Sequence, residues 1–110
     1  MSARKVLEPI AWLLQVSTGL LMIFLVTFHF LITHTHEEAL KFEEVVKRFE
    51  VYKAFYILLL LAVVFHAFNG LRAILLDTNF GVYRKRLVNS FVTIVAILAL
   101  LSGLYIIYII

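Results

Sequence analysis

The chain has 110 residues, of which 64% are hydrophobic and only 15% charged, and its mean hydropathy is +1.02. A soluble domain of this size cannot bury that much apolar surface, so the sequence reads as an integral membrane protein. Having no cysteine, it forms no disulfide and cannot itself ligate an iron–sulfur cluster or a thiolate-held metal. The formal charge of +3 does not point to nucleic acid, because the basic residues sit at the ends of apolar segments, where they act as topology signals.

Three apolar runs, at about 10–33, 52–76 and 88–110, each approach the ~20 residues needed to cross the hydrocarbon core. The expected fold is all-α, a single domain over 1–110 with three transmembrane helices. The first run is too long for a secretory signal peptide and lacks its cleavage site. Pro9 is expected at a helix start, where its missing N–H costs nothing. Helix 1 carries Gln15, Ser17, Thr18 and Gly19 towards one end and His29 towards the other; its Ser and Thr read first as side chains bonded to their own backbone or to a neighbouring helix rather than to a ligand. Arg4 and Lys5 before helix 1, with Arg84, Lys85 and Arg86 before helix 3, place the N-terminus in the cytoplasm. In the connector, about 34–51, Phe42, Val45, Val46 and Phe49 recur at helical spacing among charges. This pattern suits a short helix on the outer membrane surface, and equally a solvated connector. His34 and His36 read as surface histidines. Helix 3 has no ionisable residue inside it and ends in Tyr105 and Tyr108, an interfacial aromatic belt.

The most informative stretch is Phe65-His66-Ala67-Phe68-Asn69-Gly70-Leu71-Arg72, continuing to Asp77. His66 lies deep in an apolar run, where an ionisable side chain is costly without a partner. Helical spacing puts Ala62, His66, Gly70, Ala73 and Asp77 on one stripe. Small residues around an imidazole leave room for a haem, whose iron takes an imidazole nitrogen and whose macrocycle must approach the backbone at Gly70. The same pattern also suits a histidine hydrogen-bonded in a helix bundle, with small neighbours for packing. At ~1.5 Å per residue, His29 lies ~6 Å and His66 ~21 Å below the outer boundary. Two imidazoles on one iron stand only ~4 Å apart, so if both are ligands they serve different haems, each completed by another chain. Arg72 reads either as a snorkelling side chain or as a partner for a haem propionate or a quinone carbonyl.

Taken together, Ser17-Thr18-Gly19-Leu20-Leu21 through His29 and His34, the Phe42-Glu43-Glu44-Val45-Val46 connector, and His66-Ala67-Phe68-Asn69-Gly70-Leu71-Arg72 through Asp77 resemble the membrane-anchor (cytochrome b) subunits of succinate dehydrogenase and the related fumarate reductases. The resemblance implies a helix bundle completed by a second anchor subunit, assembled with an iron–sulfur subunit and a flavoprotein subunit in a prokaryotic cell membrane. It implies a non-catalytic subunit that passes electrons to membrane quinone. By the same resemblance His66 is an axial ligand of haem b, and His29 ligates a second haem in members that hold two. Ser17, Arg72 and Asp77 are the quinone-site candidates, expected to converge at the cytoplasmic end; Gln15 stands near where the family has an arginine, and Thr78 follows Asp77 where it has a tyrosine. The rival readings are a cytochrome b anchor of another respiratory oxidoreductase and a small proton-conducting subunit without haem.

Overall fold

The computed structural model describes the backbone of residues 3–35 and 37–110, with side chains from Leu7 onward except that of His36. The expectations placed on His36 and on the side chains of Arg4 and Lys5 therefore lie outside the described residues. Five helices follow in order: α1 (Ala3–His34), α2 (Phe42–Val51), α3 (Lys53–Leu76), α4 (Asn79–Tyr83) and α5 (Lys85–Ile109). Helices α1, α3 and α5 are the three long apolar helices, each sufficient to cross a membrane. At ~1.5 Å per residue, the 24 residues of α3 exceed the ~30 Å hydrocarbon core.

Two helix starts differ from expectation: α5 begins at Lys85, so Lys85 and Arg86 lie in its first turn rather than before it, and α1 begins ahead of Pro9. Helix α1 begins at Ala3, so Pro9 lies inside it rather than at its start. Pro9 removes one donor from the ladder, but its fixed φ is helical, so the first turns carry on through it.

Helix α2 settles the connector. Val45, Val46 and Phe49 are half-buried while Glu43, Lys47 and Glu50 face outward. Glu43 and Glu44 sit in the first turn and Arg48 in the last, as the helix dipole favours. The Arg48 guanidinium donates to the Ala39 carbonyl, and the Phe49 ring stacks on Tyr56 with centroids 4.4 Å apart. The first contact ties α2 to the connector before it, and the second fastens it to the first turn of α3. His34 is exposed, as expected of a surface histidine.

Helix α3 is the centre, packed against α1 on one side and α5 on the other. Its close approach to α5 depends on Gly103, where an added Cβ would lie 2.6 Å from Leu60 Cδ1. The core is thin: Leu25, Tyr56, Ala62, Val88, Val92 and Ile107 are buried, but no large described side chain is wholly enclosed. Trp12 and Phe24 are 68% and 73% exposed. In water such a surface would drive association, so lipid and partner helices must cover it.

Candidate functional site around His66

The packing of α1 on α3 has a register that can be followed from one end to the other. Tyr56 meets His29, with ring centroids 5.6 Å apart at 87°, and His66 meets Gly19. Asn69 meets Gln15, and Arg72 meets Glu8. Going from Tyr56 to His66 on α3, or from His29 to Gly19 on α1, covers the same ~15 Å at ~1.5 Å per residue. The two imidazoles are therefore one such distance apart in depth, as the sequence implied.

Around His66 the interface is polar. Nδ1 lies 3.1 Å from the Gln15 carbonyl oxygen and 3.2 Å from Thr18 Oγ1. The Gln15 carboxamide donates through Nε2 to the His66 carbonyl at 3.1 Å and accepts at Oε1 from Asn69 Nδ2 at 2.9 Å. Gly19 lets the ring lie against the α1 backbone, since an added Cβ would stand 3.0 Å from His66 Cε1. Nε2 has no hydrogen-bond partner among the described residues, yet it is not sealed inside the chain. The imidazole thus has one nitrogen held and the other open.

This donor set suits a haem better than a bare metal ion. Among the described residues no group of three or more His, Cys, Asp or Glu could hold a metal, and a protein-held zinc needs three or four such ligands. A lone imidazole suffices for an iron that already has four porphyrin nitrogens. Haem-ligating and metal-ligating histidines normally have their second nitrogen hydrogen-bonded, and His66 has that arrangement. His29 does not: its Nδ1 is buried with no hydrogen-bond partner among the described residues. The space over Gly70 is not open to a macrocycle, because the Gln15 carboxamide fills it, 3.0 Å from where a Cβ would be. Gly70 instead permits the close approach of α1.

The three quinone-site candidates do not converge. Arg72 reaches both other long helices, with Nη1 and Nη2 each 3.5 Å from a Glu8 carboxylate oxygen and Nη1 3.3 Å from Asn89 Oδ1. Ser17 is exposed and, counted from Glu8, lies ~13 Å further along α1. Asp77 is exposed at the C-cap of α3, ~7.5 Å beyond Arg72 along the axis and more than a third of a turn away around it. A groove of about 390 Å³ between α3 and α5 has Asn69 and Arg72 among its lining and otherwise residues such as Phe65, Val92 and Leu100. It includes none of the histidines.

Sequence reasoning missed Glu8, Asn69 and Asn89, whereas Thr18 bonds both its own backbone and the neighbouring helix, as expected of it. The available signal was the antiparallel register, in which Asn69 opposite Gln15 follows once His66 is set against Gly19; Arg72 reaches Glu8 only through its long side chain, about 7.5 Å beyond that register. Replacing Arg72 by alanine is expected to leave Glu8 and Asn89 unlinked to α3. Because Glu8 is 53% exposed, the loss should be about 1 kcal/mol, seen as a small fall in the thermal midpoint of the solubilised assembly.

Comparison with known proteins gives the family. A family described as succinate dehydrogenase/fumarate reductase transmembrane subunit matches residues 3–105. The chain is 57% identical to a succinate dehydrogenase hydrophobic membrane anchor subunit of Archaeoglobus fulgidus, across 97% of its own length and 94% of that relative. No solved structure matches it.

Proposed function

Since this chain belongs to the family of succinate dehydrogenase and fumarate reductase transmembrane subunits, we propose that it is a haem b-binding anchor through which electrons pass from an iron–sulfur subunit to membrane quinone. It is a multi-pass membrane anchor, and the proposed partners are a second anchor, an iron–sulfur subunit and a flavoprotein subunit. The observation that carries the haem reading is His66, with Nδ1 hydrogen-bonded to α1 and Nε2 without a hydrogen-bond partner among the described residues. Haem b bound there supplies a one-electron carrier between the iron–sulfur partner and quinone. His66 would hold the haem through its Nε2 lone pair, with Thr18 and Gln15 fixing the ring, and a further ligand would come from the partner anchor.

The proposal extends to a second haem at His29. This chain equips the two sites unequally, because only His66 has hydrogen-bond partners for its Nδ1. The His29 haem is accordingly the more weakly held. His29→Ala is expected to remove that haem and leave the other's low-spin spectrum intact; an unchanged haem content would return His29 to a packing role against Tyr56. With the N-terminus cytoplasmic in a prokaryotic cell membrane, the Arg72 end faces the iron–sulfur partner. Quinone is then reduced at that end, and Ser17, Arg72 and Asp77 make separate contacts rather than one shared grip.

The test is a reduced-minus-oxidised spectrum of the complex isolated through a partner subunit, with haem counted per flavin. Low-spin b-type bands are expected, at one or two haems per flavin. A complex that reduces quinone without any haem would overturn the reading.

A further inference from the structure

The bundle chooses between the two neutral tautomers of His66. Nδ1 faces the Gln15 carbonyl oxygen at 3.1 Å, which can only accept, and Thr18 Oγ1 at 3.2 Å. The single proton of the Thr18 hydroxyl has its shortest bond, 2.7 Å, to the Leu14 carbonyl, with the Gln15 carbonyl next at 3.2 Å. Thr18 therefore turns a lone pair towards Nδ1. Both neighbours demand a proton on Nδ1, because a bare nitrogen would set lone pair against lone pair on two sides. Gln15 also ties α1 to α3 beside this carbonyl: its side chain spans from the His66 carbonyl at 3.1 Å to Asn69 at 2.9 Å, seated over Gly70.

Resting on the haem reading above, we infer that Thr18 and Gln15 are positioning residues for the His66 ligand, fixing the proton on Nδ1 and leaving the Nε2 lone pair for iron. Two acceptors sharing the Nδ1 proton also make the imidazole more electron-rich, as outer hydrogen bonds to metal-bound histidines do. A more basic ligand favours ferric over ferrous iron, so this pair of contacts lowers the haem midpoint potential.

The experiment compares Thr18→Val, Thr18→Ala and Thr18→Ser in the assembled complex by redox titration of the haem bands and by haem retained against a scavenging apoprotein. Val and Ala remove the hydroxyl acceptor. Each should raise the midpoint potential and weaken haem retention about tenfold, the low end of the 10–100-fold typical of such outer partners. Serine keeps the acceptor and should restore both values. Wild-type potential and retention in the Val and Ala variants would overturn the inference. Failure of both to assemble while the serine variant assembles would also overturn it, making Thr18 a folding residue. His66→Ala separates the two readings: if it keeps a normal low-spin spectrum, the haem reading itself falls and takes this one with it. If it loses the haem while Thr18 variants behave as wild type, only the positioning role is lost.

Discussion

His66→Ala is expected to abolish the low-spin haem signal of its site in the assembled complex, with loss of the corresponding bands in the reduced-minus-oxidised spectrum. The expectation follows from what remains after truncation. The nearest polar groups are the Gln15 carbonyl, the Thr18 hydroxyl and the Gln15 carboxamide, all neutral oxygen or amide donors and poor substitutes for an imidazole on haem iron. His29 cannot move in, being ~15 Å away in depth, and its ring is packed edge-on against Tyr56. The fold should tolerate the change better than the cofactor does. His66 is only half-buried, and the Gln15–Asn69 bond at 2.9 Å does not involve its ring. The expected phenotype is thus an assembled complex with succinate oxidation by a soluble dye retained and haem missing. A variant that keeps its low-spin bands would make His66 an ordinary bundle histidine.

How much of this could be seen in the sequence depends on the range over which each feature is set. The three spans were legible because hydrophobic length is a local property, and the depth of each histidine followed from counting along a helix. The α2 helix was half legible: Phe42, Val45, Val46 and Phe49 have the spacing, but only the stacking of Phe49 on Tyr56 decides between a helix and a solvated strap. Rotation between helices was not legible. Ser17, Arg72 and Asp77 were expected to meet because all three lie towards one end, yet Ser17 is one residue, ~100° of helix, away from Thr18, which faces His66. The same one-residue difference lets Thr18 bond its own backbone and the imidazole at once. Asn69 and Gln15 carry no charge to draw notice, and their bond appears only when the two helices are set in register. Between α3 and α5, the short helix Asn79–Tyr83 is capped by Thr78 and rests against the backbone at the end of α3.

That last stretch makes the strongest stability prediction. Gly81→Ala is expected to cost about 3 kcal/mol or more and to reduce sharply the amount of chain found in the assembled complex. Helix α4 has only five residues, and it is fixed to the end of α3 through Thr78, whose Oγ1 accepts from the Gly81 N–H at 3.0 Å and donates to the Leu75 carbonyl at 2.6 Å. That interlock brings Gly81 so close to α3 that an added Cβ would lie 1.9 Å from the Leu75 carbonyl oxygen and 2.9 Å from Leu76 Cα. The requirement is one of space, since no glycine here has a positive φ. All the atoms met belong to backbone, so no side chain can rotate out of the way. Helix α4 must move off, the Thr78 cap must lengthen, and the start of α5 at Lys85 must follow, carrying Asn89 away from Arg72. Gly103→Ala is the control. Its Cβ also meets something too close, at 2.6 Å, but that is the Leu60 side-chain tip, which can change rotamer for about 1 kcal/mol. Thermal midpoints and assembled yield should therefore fall far more for Gly81→Ala than for Gly103→Ala. Equal losses would mean that α4 gives way easily and that the α3–α5 connection is not what sets the register of these two helices.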